Sequence, residues 1–277
     1  MAKKGWYKSG EELLLELRKT RLPKEMAAIW YFGQAGLAVR YGDILLAIDP
    51  YFGTPDPDVR AFPAPFDPEK ADCFDAVLIT HGHRDHLDEE TLLGMAKANP
   101  KTKIILPAPL EGVARDCGFD SGRIIGAKIG DEIHIGEGVV IPFPAFHETF
   151  EQDKDGNAMT LGYIIRFPAF TLYHAGDTVE WDTMTENLKP YGIDVAALPI
   201  NGSDWKRRHA NIIGNLNARE AADIAEEIGA DLLIPLHYDL FPYNAENPSH
   251  LVDYMVQDHP GRKYHIMAPG ERFIYMK

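Results

Sequence analysis

Apolar residues in this chain come mainly in short runs broken by glycine, proline and aspartate, the pattern of buried strands, and less often with the spacing of an amphipathic helix. The first periodic stretch, from about Ser9 to Lys19, predicts a helix with Leu13, Leu14 and Leu17 on one face, Ser9 as its N-cap and Glu12 as the capping-box partner. After Pro23 the pattern changes to strands at Ala28 to Phe32, Leu37 to Tyr41 and Ile44 to Ile48. They are joined by Gly33-Gln34-Ala35-Gly36 and Gly42-Asp43, turn sequences that supply positive φ, which predicts an antiparallel meander. From Phe52 to Asp72 five prolines and five acidic residues break any period. A loop that long inside a compact domain points to a lid or to a subunit contact in a homo-oligomer.

Beyond it, Phe74 to Ile79 reads as a buried strand, Glu89 to Asn99 as a helix, Lys103 to Leu106 as a strand and Leu110 to Cys117 as a helix. That is an α/β crossover, with a parallel strand pair expected beneath it. Strand signals return at Ile124 to Ala127, Glu132 to Ile135, Val139 to Pro144, Thr160 to Phe167, Phe170 to His174, Val195 to Ile200 and Leu232 to Leu236. A helix from Ala218 to Ile228 has Asn217 and Glu220 placed as a capping box. No tandem repeat is present, but two halves of the form strands-then-helices are. The expectation is one α/β domain over residues 1–277, with residues 1–27 as a helical extension.

Composition narrows the function. The chain is 45% hydrophobic and 25% charged, and its 42 acidic against 28 basic residues leave a net charge of −14. That balance argues against nucleic acid as a partner, since phosphate neutralisation needs a basic face, and an anionic substrate would need a local positive patch. No run is long enough for a membrane span, and Leu13-Leu14-Leu15 is flanked by Glu11, Glu12 and Glu16, unlike a signal peptide. Cys73 and Cys117 form no CxxC pair and suit a reducing compartment, so the expected location is the cytoplasm.

The candidate chemistry is concentrated in Thr80-His81-Gly82-His83-Arg84-Asp85-His86-Leu87-Asp88, at the exit of the strand ending at Ile79. His81 and His83, two apart in an extended segment, point the same way and can offer two imidazole nitrogens to one metal. A helix starting near Asp88 would swing Asp85 and His86 to the other side, towards a second ion, although a single ion with that pair behind it also fits. The alternative is a polar surface turn. His147, Asp177 and His237 each follow an apolar run by a few residues, where further ligands of a central site would stand. Asp49, at another strand exit, could orient a ligand histidine or close an Asx-turn. His174 reads as a substrate or supporting contact or as a packed strand residue, and Asp239 can point to the same side as His237. The segment Asn201 to Asn211 puts Lys206, Arg207 and Arg208 together; Arg207 and Arg208 are either an anion clamp or a solvated charge run, with Asn201 at the strand exit beside them.

This motif order resembles the metallo-β-lactamase superfamily of hydrolases, whose fold is a four-layer αββα sandwich with metals at one edge of the two sheets. By position, the resemblance implies that His81, His83 and His147 hold one ion, that Asp85, His86 and His237 hold a second, and that Asp177 bridges them. Within the superfamily the chain is similar to the L-ascorbate-6-phosphate lactonases, through Ile29 to Gly36, Ile48 to Thr54, Tyr173 to Thr178, Ile193 to Leu198 and Ile234 to Asp239. It departs from them at His147, where they carry an aspartate. A carboxylate there suits manganese and a histidine leans towards zinc. The implied activity is hydrolysis of a small anionic, phosphorylated or carboxylated sugar lactone or ester by a metal-bound hydroxide, with Asp85 as the catalytic proton carrier. The alternatives are a small-molecule phosphodiesterase of the same fold and a metal-binding regulatory module without turnover.

Overall fold

A computed structural model describes residues 5–53 and 59–277. In chain order its elements are α1 (Gly10–Lys19), β1 (Met26–Gly33), β2 (Gly36–Tyr41), β3 (Ile44–Ile48), β4 (Ala76–Leu78), α2 (Glu89–Ala98), β5 (Lys103–Pro107), α3 (Glu111–Asp116) and β6 (Ile124–Ala127). There follow β7 (Ile133–Ile135), β8 (Gly138–Pro144), β9 (Leu161–Arg166), β10 (Thr171–His174), α4 (Met184–Leu188), β11 (Val195–Pro199), α5 (Trp205–His209), α6 (Ala218–Glu227), β12 (Leu232–Leu236), α7 (Ser249–Gln257), β13 (Lys263–Tyr264) and β14 (Arg272–Met276).

The strands make two seven-stranded sheets, in the orders β14-β1-β2-β3-β4-β5-β6 and β13-β12-β11-β10-β9-β8-β7. Each sheet begins as an antiparallel meander and continues as parallel strands: β3, β4, β5 and β6 in the first, β10, β11, β12 and β13 in the second. Two-residue turns can only reverse a strand, as from β1 to β2 and β2 to β3, whereas a longer crossover returns it in the same direction, through the long loop from β3 to β4 and through α2 from β4 to β5.

Strand periodicity explains the layering. In β1, Ala27, Ile29 and Tyr31 face the second sheet, while Ala28, Trp30 and Phe32 face the other way, where Leu13, Leu14 and Leu17 of α1 and Leu92 and Met95 of α2 cover them. The same alternation runs through β2, β3 and β4, so both faces of the first sheet are buried and its strands read as continuous apolar runs. On the outer face of the second sheet Ala221, Ala222, Ile224 and Ala225 of α6 and Leu251 and Met255 of α7 join the core. The layers are helix, sheet, sheet, helix, as the resemblance implies.

Three expectations change. Ser9 stands at the N-cap of α1 but its side chain makes no cap hydrogen bond, so the capping box with Glu12 does not form; the box of Asn217 and Glu220 on α6 does. Lys8 instead draws Glu16 of α1 into an ion pair at 2.5 Å. The residues before β1 are only partly helical, since α1 ends at Lys19 and β1 begins at Met26. In the long loop a 3-10 turn forms at Pro68–Lys70, while residues 54–58, part of the expected lid or subunit contact, lie outside the described residues. Among the described residues no helix is long and apolar enough to cross a membrane, and both cysteines are free.

The two helix starts can be compared directly. Asn217→Ala should lower the unfolding free energy by about 1 kcal/mol, whereas Ser9→Ala should stay within about 0.5 kcal/mol of the parent. Urea midpoints of the two variants check this, and equal losses would contradict it.

Candidate metal centre

The carboxyl ends of β3, β4, β10 and β12 meet at one edge of the two sheets. Past β4 the ladder closes with Ile79 N donating to Ile105 O, and the chain then turns outward. Thr80 is held there by Asp49, at the end of β3: its N–H donates to Oδ1 at 2.8 Å and its hydroxyl to Oδ2 at 2.7 Å. The far end of the loop is held by Asp88, which accepts from Thr91 N as the N-cap of α2 and from Gly53 N at 2.9 Å. Asp85 and His86 are brought across by a tight turn in which His86 N and Leu87 N both donate to His83 O. The swing thus comes from this turn, before α2 begins, and not from the first turn of the helix. Past β10 the chain packs so closely against Thr80 that a Cβ on Gly176 would lie 2.9 Å from that of Thr80, which leaves glycine as the fitting residue ahead of Asp177.

All seven sequence-derived ligand candidates converge. His81, His83 and His147 form one group, Asp85, His86 and His237 a second, and Asp177 stands with His81 and His86 between them. In the first group His83 Nδ1 lies 2.9 Å from His81 Nε2 and 3.1 Å from His147 Nε2. In the second, Asp85 Oδ2 lies 3.5 Å from His86 Nε2 and 3.4 Å from His237 Nε2. Asp177 presents Oδ1 to His86 Nε2 and Oδ2 to His237 Nε2, each at 3.3 Å, and Oδ2 to His147 Nε2 at 3.8 Å.

These separations test the fit to metal ions. Zinc bonds of about 2.0–2.2 Å place tetrahedral neighbours about 3.3–3.6 Å apart and neighbours at right angles about 2.8–3.1 Å apart. The second group has the former spacing and the first the latter. Among the described residues the buried His86 Nε2 and Asp177 Oδ1 have no hydrogen-bond partner, as expected of atoms whose partner is a cation. Imidazole and carboxylate together suit zinc or manganese.

The electrostatics describe a site that calls for positive charge. Burial alone would drive His86 and His237 neutral; the carboxylates of Asp177, Asp85 and, for His86, Asp49 outweigh it, holding His86 well above its usual range and His237 at about 9. Against their own burial, Asp85 and Asp177 are held below the ordinary carboxylate range by the same two histidines. His81 and His147, where burial prevails over Asp177, are pushed down and stay neutral, ready to donate a lone pair.

The outer candidates divide. Asp49 Oδ2 faces His86 Nδ1 at 2.7 Å and fixes which ring nitrogen points inward. His174 is fully buried in β10, with Nε2 donating to Ala35 O, so it packs under the sheet and does not reach substrate. Asp239 accepts from Gln34 N at 3.0 Å, and burial raises its carboxyl to about 6. Asn201 bonds Asn244 and Asn215 inside the protein. The anion clamp is not formed by Arg207 and Arg208. Asp204 caps α5 and turns Arg207 inward, where it pairs with Asp204 and donates to Asn244 Oδ1 and Ala245 O at 2.9 Å. Arg208 lies outside, bonded to Ser203 O, and neither arginine lines the cavity.

That cavity, of about 360 Å³, opens over His83, Asp85, His147, Asp177 and His237. Tyr51, Ile213, Phe241 and Tyr243 form an apolar wall, and Arg84 stands at its rim. Sequence reasoning missed two residues here. Arg84 lies between ligand candidates, and the tight turn after His83, which the sequence does not specify, brings it to the cavity that His83 and Asp85 also line. Gln34, read only as part of a turn, has its amide Nε2 2.8 Å from both Asp85 Oδ2 and His237 Nε2.

Residues 45–238 match the beta-lactamase superfamily domain. The span takes in both ligand groups, and the chain belongs to the beta-lactamase superfamily. It is similar to proteins named UPF0173 metal-dependent hydrolase from Aeropyrum pernix, at 28% identity over 90% of this chain and 98% of that one, and from Pyrobaculum aerophilum, at 29% over 88% and 97%. Among solved structures it resembles Igni18, a metallo hydrolase from Ignicoccus hospitalis (TM-score 0.69, 22% identity, 91% of this chain and 99% of that one). It also resembles an isothiocyanate hydrolase from Delia radicum gut bacteria (TM-score 0.70, 19% identity, 90% and 99%). These last two likenesses are of fold. Family and donor set agree on a metal-dependent hydrolase of this superfamily.

The histidine shifts make the pH dependence of the metal-free protein specific. A histidine with its folded pKa raised stabilises the fold fully below its unfolded value of about 6.5 and loses that contribution as pH rises through the folded value. For His237 that window runs from about 6.5 to about 9. Metal-free protein should therefore lose thermal stability across it, while metal affinity rises over the same range because protons no longer compete for the nitrogens. Melting curves in chelator and metal titrations at several pH values check both signs; a melting temperature that rises with pH in chelator would contradict the charge pattern.

Proposed function

We propose that the chain hydrolyses a small lactone or related ester bearing an anionic group, using one or two divalent ions held by the two ligand groups, with Asp177 between them. The observation that carries this reading is Asp85. Its side chain is 21% accessible from the cavity, against 5% for Asp177, while its Oδ2 faces the second group. Bound ions would lower the pKa of a coordinated water from 15.7 towards ~7 and polarise a carbonyl. Asp85, ionised at neutral pH under the influence of His86 and His237, takes the proton of the attacking water and delivers it to the leaving alkoxide oxygen. The cavity is of the size that accommodates a sugar-like ring, with Tyr51 and Phe241 offering apolar surface beside the ligand groups.

The anionic group is met by Arg84. With a net charge of −14 the protein repels anions at long range, and screening beyond ~8 Å at physiological salt leaves recognition to a cation at the cavity itself. Arg207 is committed to the 244–246 segment and cannot serve.

Turnover of a lactone panel with added Mn²⁺ or Zn²⁺, abolished by chelator, tests the reading. Cleavage of phosphodiesters alone would replace it with a phosphodiesterase, and metal-loaded protein inert towards both classes would make it a binding module. Asp85→Asn should cut kcat by ~10²–10⁴-fold, and near-normal turnover would remove Asp85 from the proton path. Arg84→Gln should raise KM for a charged lactone by about tenfold or more, the loss of one charge-assisted contact, and leave a neutral analogue nearly unchanged. Equal effects on both substrates would remove Arg84 from anion recognition.

A further inference from the structure

We propose that Gln34 is a positioning residue for the second ligand group: its carboxamide holds Asp85 and His237 in register, and so decides whether a second ion is retained. The inference rests on the metal reading of the site. Gln34 lies in the turn between β1 and β2, is 1% exposed, and adopts φ of 58°, a left-handed conformation that a residue with a side chain rarely takes. Strain of that kind persists where surrounding contacts over-determine it, and here they do. Its N–H donates to Asp239 Oδ1 at 3.0 Å, its carbonyl accepts from His237 N at 2.7 Å, and the next carbonyl, of Ala35, accepts from His174. His237, at φ of 61°, is in the same conformation, so two strained residues from opposite sheets are clamped to each other.

The clamp aims the side chain. The amide nitrogen of Gln34 donates to Asp85 Oδ2 at 2.8 Å and lies 2.8 Å from His237 Nε2, with Asp85 and His237 themselves 3.4 Å apart. A neutral donor at this point serves where a cationic side chain would not, because it steadies the carboxylate without supplying the positive charge that would exclude an ion. The first group has no contact with Gln34 of this kind among the described residues: its nitrogens are ordered by one another and by Thr80. Loss of the carboxamide should thus act on one metal-binding step and spare the other.

Gln34→Gly is the suitable variant, since glycine accepts the left-handed backbone without strain and removes the side chain alone. The measurement is calorimetric titration of chelator-treated protein with Zn²⁺ or Mn²⁺, with elemental analysis of the loaded protein and a melting curve without metal. The expected result is two binding steps in the parent, and in the variant an unchanged first step with a second step weakened by at least about tenfold, the usual scale for a partner behind a metal ligand. Gln34→Asn also accepts the backbone but is one carbon short of Asp85, so it should behave like the glycine variant. Equal weakening of both steps with a lowered metal-free melting temperature would overturn the proposal in favour of a purely structural turn. An unchanged or tighter second step would overturn it in favour of an amide that obstructs the ion. A parent that binds one ion would end the inference while leaving the metal reading standing; a parent that binds none would end both.

Discussion

The site depends on one buried carboxylate. Asp49 has no solvent exposure and, among the described residues, no ion pair with Lys or Arg; its carboxyl oxygens are met by the Thr80 N–H, the Thr80 hydroxyl and His86 Nδ1. Leaving such a group unsatisfied would cost several kcal/mol, so the three donors are required wherever Asp49 is retained. They also bind the end of β3 to the start of the metal loop and orient His86. The second sheet reaches the same point, with Leu161 N donating to Thr80 O and the Tyr163 hydroxyl to Ile79 O. The loop is therefore braced from below by both sheets before any ion is considered.

The two sheets repeat one plan, which explains where the site lies. In each, an antiparallel meander runs into parallel strands, and parallel strands deliver all their carboxyl ends to the same side. The first sheet contributes Asp49 and the loop from His81 to His86, the second His147, Asp177 and His237. Neither half carries a complete set of donors, and the acidic and imidazole groups become a site only where the halves face each other. Ligands of opposite tendency are also sorted: the neutral histidines gather on one side of Asp177 and the charged histidines with Asp85 on the other.

Much of this was legible in the chain because strand and metal-loop signals are local. The β2, β3, β6 and β12 limits follow closely from apolar runs between turn residues, and the convergence of His147, Asp177 and His237 follows from their place just beyond such runs. What was not legible depends on partners far away in sequence. Three cations in a row look alike until Asp204 and Asn244 select Arg207 for burial and leave its neighbours outside. Ser9 has the residue type of a cap but not the bond, since residue type cannot specify a rotamer. Gln34 sits among glycines in a turn, and nothing near it in sequence announces that its amide faces Asp85.

The contact between Gln34 and His237 joins residues 203 positions apart, whereas His83 and His147 are 64 apart. Protein synthesis is vectorial, so these separations become an order in time. A growing chain possesses every side chain of the first ligand group once residue 147 has emerged, long before the strand that carries His237 exists. At that stage Asp85 and His86 of the second group are also present but His237 is not, so that group stays incomplete until β12 and the residue after it have emerged. The first group can therefore have all its side chains while the second still waits for its last donor, His237.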